Sequence, residues 1–111
     1  MRIMTNFQCT AFSQRGHGKS HNEDAILLDG QVYQGSIREH SIVDTVQPCY
    51  FAIADGVAIG TLPRTASRRL LEILRDHLAS ASATELLPPL LRRVQQDYVA
   101  LSANPRFYGM A

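Results

Sequence analysis

The chain has 111 residues, 45% of them apolar and 19% charged, the composition of an ordinary globular protein, and its length allows one small domain or a portion of a larger one. A net charge of +1 gives no bulk attraction for nucleic acid or another polyanion. No apolar run approaches the ~20 residues of a membrane span, and Met1 to Asn6 lacks the apolar core of a secretory signal, so the expected location is cytoplasmic, with neither nucleic acid nor membrane as partner.

Phe7 to Phe12 reads as a strand that ends in the turn Ser13-Gln14-Arg15-Gly16. Gly16 and Gly18 free the backbone of the next loop to face a ligand. Ala25 to Leu28 is a second strand, and the polar stretch from Asp29 to Thr45 has room for a short hairpin around Val32-Tyr33. Tyr50 to Ala54 is apolar without alternation, as in a strand covered on both faces. Cys9 and Cys49 lie in strand-like runs without metal-ligand spacing and are expected as buried, reduced thiols.

Two helices follow. Thr61 is the expected N-cap of the first, with Pro63 in its opening turn. Ala66, Leu70, Ile73, Leu74 and Leu78 then mark one helical face running to about Ser80. Ser82 with Glu85 could cap a helix, but Pro88-Pro89 would then lie in its interior, where proline costs ~3 kcal/mol. A short turn from Ser82 and a main helix from about Pro88 is preferred, with Leu90, Leu91, Val94, Tyr98 and Leu101 as its buried stripe and Asn104-Pro105 as its stop. The pairs Arg68-Arg69 and Arg92-Arg93 fall on these helices and read as solvated faces. The predicted pattern is about three strands and then two helices, in the α/β (α+β) class, with one sheet face left bare.

Chemistry concentrates at two points. Glu23 and Asp24 open the second strand, and Asp55 closes the run from Tyr50. If these strands are antiparallel neighbours, about 5 Å apart, all three acids meet at one end of the sheet. Crowded carboxylates are unfavourable unless a cation neutralises them. Hard ions such as Mg²⁺ or Mn²⁺ accept carboxylate and carbonyl oxygens. Asp55 could bridge two ions, the Gly56 carbonyl and Glu23 could bind one of them, and Asp24 could hold a metal-bound water. Lys19 is the nearby cation for a substrate phosphate. His17 and His21 border the loop without a partner at ligand spacing and are assigned no role, and His40 and His77 carry less signal still.

Gly18-Lys19-Ser20 imitates the end of a P-loop, and Tyr50 to Asp55 its strand and acid. However, Ser13 stands where that motif requires glycine, and Ser20 leads into two acids rather than a long helix. A P-loop nucleotidase is therefore the weaker alternative.

Ser13, Gly16, Lys19, Asn22-Glu23-Asp24-Ala25, Phe51-Ala52-Ile53-Ala54-Asp55-Gly56 and Ala66-Ser67, in this order, resemble the metal-dependent (type 2C) protein serine/threonine phosphatases. Gly109-Met110-Ala111 resembles the start of that family's next strand motif. The resemblance spans essentially the whole chain and implies an antiparallel β-sandwich flanked by helix pairs. Residues 1–111 would form the N-terminal part of a single catalytic domain whose C-terminal half is absent. The implied reaction is hydrolysis of phosphoserine and phosphothreonine in phosphoprotein substrates by a metal-activated water at a two-ion Mn²⁺ or Mg²⁺ centre. Asp55 matches the bridging ligand, Gly56 the carbonyl ligand, Glu23 a ligand to the same ion, and Asp24 a nearby acid. Lys19 falls where the family has its phosphate-binding arginine.

The chain departs from the family pattern at three points. Lysine at position 19 loses the bidentate fork of arginine, Ala58-Ile59-Gly60 replaces a Gly-Gly-His stretch, and the family's later aspartates are missing. The chain alone is accordingly expected to be nearly inactive and prone to self-association through uncovered sheet. The alternative reading is a non-catalytic phosphatase-like binding module.

Overall fold

The computed structural model describes residues 6–44, 50–56, 62–81 and 86–103. It is a small α+β arrangement of five strands and two helices. The strands are β1 (Asn6–Ser13), β2 (Ala25–Leu28), β3 (Gln31–Gln34), β4 (Ile37–Asp44) and β5 (Phe51–Ala54). The helices are α1 (Pro63–Ser80) and α2 (Leu87–Ser102).

Two antiparallel sheets result. β1 and β4 form a ribbon with Asn6 opposite Asp44 and Ser13 opposite Ile37, and Thr10 Oγ1 meets His40 Nδ1 across it at 2.9 Å. The other sheet has the order β3-β2-β5. β2 and β3 are joined through Asp29-Gly30, both at positive φ (47° and 84°), the backbone of a tight two-residue hairpin whose twist matches its strands. The expectation of about three strands is thus corrected to five among the described residues. Val32-Tyr33 lies within a strand, with the reversal just before it, and Ile37–Asp44 is a strand whose partner, β1, lies far away in sequence.

Alternation along β2 explains the layers. Ala25 and Leu27 face α1 and form the core with Ala54 and Leu71, and Val32, Ala52, Leu70, Leu74 and Leu78 pack around them. Ile26 and Leu28 point to the opposite face and are also buried. Cys9, Ala11 and Phe12 of β1 share a groove of about 670 Å³ with Ile26, Leu28, Phe51 and Ile53 on that side. Coverage there is uneven: Phe51 is 48% and Ile53 77% exposed. The expectation that Tyr50 to Ala54 is covered on both faces is therefore corrected. Only Ala52 and Ala54 meet the α1 layer, and Tyr50 lies outside the strand.

The helices nearly match their predicted limits. α1 ends at Ser80, and α2 starts at Leu87 with proline in its first turn. Within α1 the most buried apolar residue is Leu71, which the predicted face omitted; the packed stripe runs Ser67, Leu70, Leu71, Leu74, Leu78. α2 lies on α1 through buried Leu90 and Val94, supplemented by a 2.6 Å contact from His77 Nε2 to Asp97 Oδ2. Leu91 is 49% exposed, which removes it from the predicted stripe. Cys9 is a half-buried free thiol. The expected N-cap Thr61 is corrected: Leu62 caps α1, without a side-chain cap hydrogen bond. Cys49, Ala58-Ile59-Gly60, the turn from Ser82, Asn104-Pro105 and Gly109-Met110-Ala111 lie outside the described residues.

Candidate metal centre

Ala25 pairs with Ala54, so the register carried one step further sets Asp24 opposite Asp55, and a second step sets Glu23 opposite Gly56. Directly opposed residues of an antiparallel pair hold their Cβ atoms ~4.5–5.5 Å apart. The Asp24 and Asp55 carboxyls accordingly face each other across the ends of the two strands. Burial, the contact with Asp55 and its charge, and then the charge of Glu23 together raise the Asp24 pKa above its ordinary 3.8, and the backbone N–H of Gly56 partly offsets this by donating to the Asp24 carboxylate. Two carboxyl groups so placed need either a shared proton or a cation.

The scaffold beneath is rigid for identifiable reasons. A Cβ on Gly56 would lie 2.5 Å from both the Glu23 and the Pro63 carbonyl oxygens, so only glycine lets the β5 exit pass between β2 and α1. Buried Ser67 donates its hydroxyl to the Glu23 carbonyl, and Gln34 Nε2 donates to Ser67 Oγ (3.1 Å) and to the Arg64 carbonyl (2.7 Å). Asn22 is 8% exposed and fully engaged. Its Nδ2 donates to Ser13 Oγ (2.6 Å) and the Gly35 carbonyl (3.0 Å), while its Oδ1 accepts from the Asp24 N–H (3.1 Å). One amide thus ties the end of β1, the exit of β3 and the head of β2 together. Buried polar groups are retained at this cost only when satisfied, and these are.

A pocket of about 340 Å³ opens over the acids. Lys19, Glu23, Asp24, Asp55 and Gly56 line it, so every predicted site residue reaches the same cavity. Gly18 at φ 76° and the Lys19 N–H to Gly16 carbonyl bond (3.1 Å) curl the loop that presents Lys19. Past Ser20 this loop runs into β2, so it lacks the helix N-terminus that a P-loop nucleotidase needs. Among the described residues no group of three or more His, Cys, Asp or Glu side chains is placed to hold a metal ion. Glu23, Asp24 and Asp55 all line this pocket, and their carboxylate oxygens are of the kind that hard divalent cations take.

Sequence reasoning missed the structural roles of Asn22 and Ser67, noticed only as parts of motifs. It also missed His21, whose Nδ1 accepts a 2.8 Å bond from Arg64. No sequence spacing links positions 21 and 64. No protein-family model, curated protein or solved structure matches the chain. Among the described residues no helix is long and apolar enough to cross a membrane.

Proposed function

We propose that this chain carries the cation-binding edge of a protein phosphatase of the type 2C kind, whose reaction is metal-dependent hydrolysis of phosphoserine and phosphothreonine in proteins. The observation behind this reading is the convergence of Asp24 and Asp55, two acids that flank the same end of adjacent antiparallel strands and line one pocket. Asp55 and Asp24 would hold Mn²⁺ or Mg²⁺, with the Gly56 carbonyl and Glu23 as further donors and the remainder from water or from groups outside the described residues. A second ion would require such outside groups. Bound ions of this kind polarise a phosphoryl oxygen and lower the pKa of water.

The chain's own residues position the reactants. Gly56 N–H orients Asp24, Ser67 fixes the Glu23 backbone, and Asn22 fixes the start of β2. Lys19 attracts the substrate phosphate as a point charge, with less directional control than a guanidinium. The two-sheet sandwich flanked by helices that the resemblance implies is compatible with the β1–β4 ribbon on one side of β2 and α1 on the other.

Glu23, Asp24, Asp55 and the Gly56 carbonyl do not complete a two-ion centre, so these residues should bind metal and phosphopeptide yet release phosphate slowly. The test is binding of a phosphothreonine peptide with and without Mn²⁺, together with phosphate release. Mn²⁺ should strengthen binding, and Asp55→Asn should remove that gain. Peptide binding that ignores Mn²⁺ and yields no phosphate would overturn the enzyme reading in favour of a non-catalytic binding module.

A further inference from the structure

Beside the carboxylate pocket lies a larger cleft of about 550 Å³. It shares Gln14, His21 and Asn22 with that pocket, so the two cavities meet along a common rim. Their electrostatics are opposite. Arg15, Arg64 and Arg68 line the larger cleft and no acid does.

We propose that this cleft is an accessory anion site, which takes a second phosphomonoester on the same polypeptide whose first phosphate sits at Asp24 and Asp55. The inference rests on the phosphatase reading for the first phosphate and on the arginines for the second. Arg64 and Arg68 stand one turn apart on α1, where like charges repel, and they occupy the first turns of a helix with no acid in its first turn. Cations near a helix N-terminus oppose the macrodipole. Both costs are offset when an anion binds between them.

Existing partners leave capacity for one. Arg64 NH1 donates to His21 Nδ1 at 2.8 Å, and since a guanidinium only donates, it is held in place without losing its charge. Arg68 meets Glu72 through Nε at 3.4 Å, an (i, i+4) pair with the arginine side chain 49% exposed. Such surface pairs contribute little and exchange readily. Among the described residues no acid forms an ion pair with Arg15. Guanidinium groups bind phosphate oxygens in bidentate fashion, which a lone lysine cannot do. The chain would thus bind weakly at the Lys19 side and more tightly at the arginine side, selecting multiply phosphorylated segments.

The test compares a singly phosphorylated threonine peptide with one bearing a second phosphate a few residues away, by fluorescence anisotropy in Mn²⁺. The wild-type protein should prefer the doubly phosphorylated peptide by ~10-fold or more, with the preference falling as salt rises. Arg64→Gln combined with Arg68→Gln should bring the ratio close to one while leaving affinity for the single phosphate unchanged. Arg68→Gln alone, milder for folding, should lower the ratio part of the way. The same ratio measured on Asp55→Asn separates the two readings. A preference that persists there but loses its Mn²⁺ dependence supports both. An arginine-dependent preference with no Mn²⁺ effect in the wild type sinks the metal reading alone. A ratio near one in the wild type, or one indifferent to the arginine substitutions, overturns the accessory site. So does a single-stranded oligonucleotide that competes as well as the doubly phosphorylated peptide.

Discussion

Gly56→Ala is the substitution whose effect follows most directly from the geometry. The added Cβ would lie 2.5 Å from the Glu23 carbonyl oxygen, 2.5 Å from that of Pro63 and 3.0 Å from Glu23 Cβ. Ordinary contact starts near 3.4 Å, so each oxygen must retreat by roughly 0.9 Å (3.4 less 2.5). Neither retreats easily: Ser67 holds the first, and the second belongs to the opening turn of α1. Overpacking ordinarily costs ~1–3 kcal/mol, and main-chain obstacles on both sides put this case in the upper half. For a domain of this size that is a drop in Tm on the order of 10–20 °C. Thermal melting by circular dichroism measures it, with Gly18→Ala as the comparison. Gly18 has open space around it, so that variant carries only the left-handed backbone cost of about 1 kcal/mol at φ 76°. Wild-type melting by Gly56→Ala, or a smaller loss than Gly18→Ala shows, would refute the close passage of β5 between β2 and α1.

Further outcomes follow from the same contacts. Ser67→Ala strands the Glu23 carbonyl and one Gln34 N–H and should cost ~1–3 kcal/mol in urea unfolding, where Ser80→Ala on the exposed end of α1 should cost little. Asp24 titrates above 3.8 in the folded state and at its ordinary value when unfolded, so the folded chain binds more protons in that window. Stability of the metal-free protein should therefore fall as pH rises through the window, and Asp24→Asn should flatten the dependence measured by urea midpoints. Leu27→Ala, at a site 1% exposed, should cost ~2–5 kcal/mol. Ile53→Lys, at 77% exposure, should leave the urea midpoint unchanged and lower any self-association seen by sedimentation.

The parts of this fold that a sequence declares are those governed by local pattern. Ala25–Leu28 and Phe51–Ala54 are apolar runs, and both helices show their 3.6-residue period, so their limits fall within a residue or two of the structure. β3 and β4 carry glutamines, arginine and histidine, and β4 is a strand because β1 pairs with it across some 30 residues. The hairpin signal was there in Asp29-Gly30, two residues before the place where the chain was expected to turn. At the site, the common end of Glu23, Asp24 and Asp55 was legible because antiparallel pairing forces it. The long-range hydrogen bonds of Asn22 and Ser67 span 9 to 44 positions, and the arginine cleft joins a loop to a helix turn. Nothing local reports such distances. Arg68 reads as a solvated helix face, and half exposed beside Glu72 it is one; it is also a wall of the cleft.

The account stands on Asp24 and Asp55 sharing one divalent cation. Calorimetric titration of Mn²⁺ into the wild-type protein, Asp24→Asn, Asp55→Asn and the double variant tests this directly. Each single change should weaken binding ~10-fold or more, and the double variant should lose little beyond either one. Wild-type Mn²⁺ affinity in Asp55→Asn, or losses that simply add, would contradict a shared ion.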